Sequence, residues 1–106
     1  MTNKHFVLFF LMLFPFCLSA AVDVAADSTE GEATYKARCK VCHGADGVPK
    51  SFAEGSPAFN DQAWKEATSL EAIEKVVAEG RKRMPAFQTR LPPKETKTVS
   101  AYLRPL

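Results

Sequence analysis

The residues with the most chemistry in this 106-residue chain stand together in Cys39-Lys40-Val41-Cys42-His43. Two thiols separated by two residues and followed at once by an imidazole form the C-x-x-C-H pattern of covalent haem attachment. The spacing has a chemical reason. From the end of a helix, each thiol can add across one of the two vinyl groups of a haem, and the next residue brings its imidazole under the iron as proximal ligand. Three other chemistries use paired cysteines. A thioredoxin-type redox pair expects a βαβ setting, a zinc site requires a second pair of ligands, and a plain disulfide suits an exported protein. Haem attachment is the reading that also employs His43.

Export is itself expected. Lys4 and His5 precede an uncharged run from Phe6 to Val22 that holds Phe6, Phe9, Phe10, Phe14 and Phe16, followed by the small residues Ser19, Ala20 and Ala21. A basic start, an apolar stretch and a small-x-small site make a signal peptide over residues 1–21, cleaved to begin the mature chain at Val22. An uncleaved anchor is the alternative, but the run is short of the ~20 residues a spanning helix wants and Pro15 interrupts it. Of three cysteines, two histidines and three methionines, only Cys39, Cys42, His43 and Met84 then remain. Covalent haem attachment takes place outside the cytoplasm, so the motif and the expected periplasmic location agree.

His43 fills one axial position of an iron and leaves the other open. Met84, in Gly80-Arg81-Lys82-Arg83-Met84-Pro85-Ala86-Phe87, is the remaining thioether. Thioether ligation opposite histidine favours ferrous iron and raises the potential. A lone methionine is often only a core gap-filler, yet Met84 sits among basic residues and before a proline that restrains the preceding backbone. Lys82 is a conceivable ligand after losing a proton.

The elements that must position these residues are helical. Val22 to Glu30 lacks periodicity and reads as a flexible start. Thr29-Glu30-Gly31-Glu32 has the form of a capping box opening a helix to about Cys39. Gly44, Gly47, Pro49, Gly55 and Pro57 then punctuate a loop, with a short helical turn near Asp61 to Glu66. Thr68-Ser69-Leu70-Glu71 is a second box, followed by Leu70, Ile73, Val76 and Val77 at helical spacing and by Gly80 at the C-cap. A last helix starts near Pro93 and passes through Val99, Tyr102 and Leu103. The fold class is therefore all-α, with three main helices.

Composition bounds the rest. A formal charge of +2 supplies no basic footprint for nucleic acid, and 46% hydrophobic with 25% charged residues is a globular mix. The length allows one small domain whose core alone is marginal, so a cofactor that completes the core is expected.

The runs Gly31-Glu32-Ala33-Thr34-Tyr35, His43-Gly44-Ala45-Asp46-Gly47, Met84-Pro85-Ala86-Phe87 and Ala101-Tyr102-Leu103 resemble bacterial class I monohaem cytochromes c over nearly the whole mature chain. The resemblance implies a domain over residues 31–106 wrapped around one haem c held by Cys39 and Cys42, with axial ligands His43 and Met84. Terminal helices are expected to cross at Gly31/Tyr35 and Tyr102. It implies electron transfer between redox proteins rather than enzymatic turnover, by a monomer. A proline carbonyl, Pro49 or Pro57, is expected to receive the His43 ring N–H. Thr96, where an aliphatic residue is usual, and Pro92-Pro93 depart from the pattern. Trp64 is a candidate for contact with a haem propionate, and Arg81, Lys82 and Arg83 for steering an acidic partner. The rivals are a haem protein with a labile sixth ligand, acting as peroxidase or gas sensor, and a haem subunit of a larger oxidoreductase.

Overall fold

The computed structural model describes residues 24–106, so the expected signal segment lies outside the described residues. Its elements are α1 (Val24–Thr34), a π-helical turn (Tyr35–Cys39), α2 (Lys40–His43), a 3₁₀ turn (Ser51–Ala53), α3 (Gln62–Ala67), α4 (Leu70–Glu79) and α5 (Pro93–Tyr102). Among the described residues there is no β-strand, only an isolated antiparallel bridge between Arg81 and Met84. The all-α expectation holds.

The first helix is longer than its caps suggested. It begins at Val24, inside the stretch expected to be a flexible start, and Thr29 of the expected capping box lies within it. Alanine is the strongest helix former, and Asp27 in the first turn complements the positive end of the helix dipole. At the other end the helical path passes Cys39 and stops only at His43. It widens over Tyr35–Cys39, where the Lys40 N–H bonds the Tyr35 carbonyl, and ends where Gly44 turns to φ 76°.

Helix α5 starts as expected, with Pro93 in its first turn. It crosses α1 at Gly31, where a Cβ would stand 2.4 Å from the Thr98 carbonyl oxygen and 2.9 Å from the Tyr102 Cβ. No residue but glycine permits that approach. One turn on, the Tyr35 and Tyr102 rings meet with centroids 5.5 Å apart. The crossing implied by the resemblance is present. Thr96 is buried, and α5 satisfies its buried hydroxyls on its own backbone: Ser100 Oγ donates to the Thr96 carbonyl at 2.7 Å and Thr98 Oγ1 to that of Glu95 at 3.1 Å.

Helix α4 is amphipathic and buries Ile73 and Val77. Its cap is Ser69, whose Oγ accepts from the Ala72 N–H at 3.1 Å, one residue later than the expected box. Thr68 is already committed to closing α3, in extended conformation. Its carbonyl and that of Lys65 accept from Arg104 Nη1 at 2.9 and 2.7 Å, while Lys65 Nζ donates to the Leu106 carbonyl at 2.6 Å. The core joins Tyr35, Phe59, Ile73, Val77, Phe87, Leu91, Val99 and Leu103. No described helix is long and apolar enough to cross a membrane.

Candidate functional site

Cys39, Cys42 and His43 occupy the last turns of the first helical path, which α5 braces from behind. Both sulfurs are half-buried free thiols. Burial, reinforced by Cys42, pushes the Cys39 thiol up to about 11. Among the described residues no group of three or more His, Cys, Asp or Glu side chains is placed to hold a metal ion.

Tyr35 fixes the carbonyl end of the motif. Its buried Oη donates to the Gly44 carbonyl at 2.6 Å and lies 3.3 Å from that of His43. These carbonyls belong to the helix terminus, where no intrahelical donor exists. Burial holds the Tyr35 phenol up at about 12.

The His43 ring stacks on Phe59, with centroids 4.8 Å apart and planes 26° apart, and Phe59 meets Trp64 at 5.0 Å. Phe59 is held by the glycine-rich loop through its N–H to the Gly47 carbonyl at 2.9 Å. Burial lowers the His43 pKa and favours the neutral ring. Nδ1 is buried without a hydrogen-bond partner. The expected bond from the His43 ring N–H to the Pro49 or Pro57 carbonyl is therefore not formed at Nδ1, and the loop lays Phe59 against the imidazole.

Met84 is half-buried and packs against the same core cluster as Cys39, Trp64 and Tyr102. It closes a tight turn in which the Arg81 and Met84 backbones exchange bonds of 3.1 and 2.9 Å. Lys82 takes a left-handed φ of 54° within this turn. Arg81, Lys82 and Arg83 are exposed.

A half-buried imidazole with an unsatisfied ring nitrogen, two free thiols on the same turns and a thioether packed on the core suit a covalently held haem. Anchoring, ligation and an apolar surround are all supplied by side chains present. Two contributors escaped sequence reasoning. Phe59 carried no periodic signal inside the punctuated loop, and the Tyr35 hydroxyl bond depends on how the helix ends.

Residues 26–103 match the family model described as cytochrome c oxidase, cbb3-type, subunit III. Cytochrome c6 of Nostoc sp. (strain PCC 7120 / SAG 25.82 / UTEX 2576) is 36% identical over 97 residues, covering 92% of this chain and 86% of that protein. The cbb3-type cytochrome c oxidase subunit FixPc of Rhizobium leguminosarum bv. viciae is 33% identical over 86 residues, 69% of this chain but 28% of that subunit. Among solved structures, KustC0563 c-type cytochrome superposes with a TM-score of 0.68 at 36% identity, covering 71% of this chain and 94% of that one. With these likenesses, an all-α fold and a C-x-x-C-H motif at a helix end, the chain belongs to the cytochrome c family as a small monohaem class I c-type cytochrome, a class built for haem-based electron transfer.

Proposed function

We propose that the protein is an exported, periplasmic electron carrier holding one haem c through thioethers to Cys39 and Cys42, with His43 and Met84 as axial ligands. The observation that carries this reading is the half-buried His43 imidazole, its Nδ1 buried without a partner, which directly follows two free thiols in the chain and stacks on Phe59 of the core against which Met84 also packs. Haem iron supplies the reversible ferric–ferrous couple. The chain's own part is to keep both ligands in place in the two states, which keeps reorganisation small. Tyr35 and Phe59 restrain the His43 side, the Arg81–Met84 turn restrains Met84, and Trp64 would offer its indole N–H to a propionate. Periplasmic location is supported by the N-terminal sequence.

The turn Arg81-Lys82-Arg83 projects three exposed cations with no ion pair among the described residues. They attract an acidic redox partner, and association is expected to slow as salt screens them. A second reading, a haem subunit of a larger oxidoreductase, is favoured by the likeness to a cbb3-type oxidase subunit. Purification of the exported holoprotein distinguishes the two: a carrier elutes alone, a subunit with its partner.

The test of ligation is an optical spectrum of that holoprotein, ferric and ferrous, before and after carbon monoxide. A ferric Met–iron charge-transfer band with a ferrous spectrum indifferent to the gas supports a closed His43/Met84 site. A ferrous spectrum that shifts with carbon monoxide removes Met84 and brings forward a labile sixth position.

A further inference from the structure

We propose that the segment bearing Met84 is the C-terminal cap of α4, and that Gly80 is the residue positioning Met84 as sixth ligand. This inference rests on the His43/Met84 reading.

The last carbonyls of a helix have no intrahelical donor. In α4 the Gly80 N–H closes the last ordinary helical bond, to the Val76 carbonyl at 2.8 Å, and the next two carbonyls are taken by later residues, Val77 by the Phe87 N–H at 3.0 Å and Ala78 by the Gln88 N–H at 3.1 Å. Both of these outside donors follow Met84 in the chain. Before them the Arg81–Met84 turn uses both polar backbone groups of Met84. Met84 is therefore fixed to the end of α4 on both sides by main-chain bonds, and its side chain takes no part in them.

Gly80 is where the two segments touch. A Cβ there would stand 2.6 Å from the Met84 carbonyl oxygen, 2.8 Å from the Ala86 nitrogen and 2.9 Å from the Pro85 carbonyl carbon. All three are backbone atoms, so no flexible side chain can yield. The φ of 75° also disfavours any L side chain. Lys82 at φ 54° shows the turn held closed against a local preference, rather than relaxed into it. Any residue other than glycine at position 80 must lift Met84-Pro85-Ala86 from α4, which moves the thioether with it. Coupling of this kind is reciprocal: losing the ligand bond must loosen the cap.

Two measurements on exported holoprotein test both directions. Gly80→Ala is expected to retain covalent haem, lose the ferric Met–iron band and bind carbon monoxide when ferrous. In Met84→Ala, the amides of Gly80, Phe87 and Gln88 are expected to exchange with solvent about tenfold faster than in the unaltered protein, while those of α5 do not change. If Gly80→Ala yields no folded holoprotein, the exchange measurement decides. A Gly80→Ala protein with the band intact and no response to the gas overturns the inference, as does unchanged exchange at the three amides in Met84→Ala. Absence of the band in the unaltered protein instead removes the His43/Met84 reading itself.

Discussion

The two sides of the site are built in different ways. His43 ends a helical path that is braced by side chains: Tyr35 bonds the terminal carbonyls, Phe59 stacks on the ring, and α5 presses on Gly31 from behind. Met84 hangs on main-chain bonds to the end of α4, across a turn that carries a strained lysine. A side-chain brace spreads its energy over many contacts, whereas a backbone seam depends on close approach at one glycine. The His43 side should therefore lose stability when damaged but keep its ligand, while the Met84 side should lose its ligand before it loses its fold.

The largest test of this contrast is Gly31→Ala, which drives a Cβ into the α5 backbone. Overpacking of this kind costs about 3 kcal/mol or more when backbone must move. Chemical denaturation should show that loss with the Met–iron band preserved in the folded fraction; a band lost before unfolding would make the two sides one unit. Tyr35→Phe removes a buried bond and is expected to cost about 1–2 kcal/mol near neutral pH. Because folding raises this phenol from 10 to about 12, its contribution is complete below pH 10 and declines as pH rises toward 12. The stability gap between the unaltered protein and Tyr35→Phe should therefore narrow over that interval, and a gap that widens there would reverse the assignment. Ser69→Ala deletes the cap at the far end of α4 from Met84, at a cost of about 1 kcal/mol. Its spectrum should be unaltered, since the Met84 seam uses only the last carbonyls of that helix. The smallest effect is expected for Lys82→Gly, which relieves the left-handed strain and stabilises by about 0.5 kcal/mol. If thermal melts of holoprotein show a loss instead, the lysine side chain contributes to the turn.

Much of this arrangement was legible in the sequence where local chemistry decides the outcome. Proline in a first turn opened α5, Gly80 closed α4, and C-x-x-C-H marked a helix end. Ser69 rather than Thr68 caps α4, and the Thr68 carbonyl accepts from Arg104, distant in sequence, which no local pattern carries. The continuation of the first helix to His43 likewise follows from tertiary support at Tyr35 and Tyr102. The ring partner of His43 was hidden for a similar reason. Turn residues announce a loop, but which of its side chains reaches the imidazole is decided by the loop's path, and here that path delivers Phe59.

The crossing of α1 and α5 also sets an order of events. A chain made from its amino end exposes Cys39 and Cys42 well before Thr98 and Tyr102 exist to brace them. During that interval the Cys39 thiol is solvated, whereas in the closed fold burial holds it up at about 11. Contacts between sequence-distant segments carry the larger loop-closure cost. The two cysteines thus precede in synthesis the helix that braces their own, so in a chain truncated before α5 they should react with an alkylating probe faster than in the full chain.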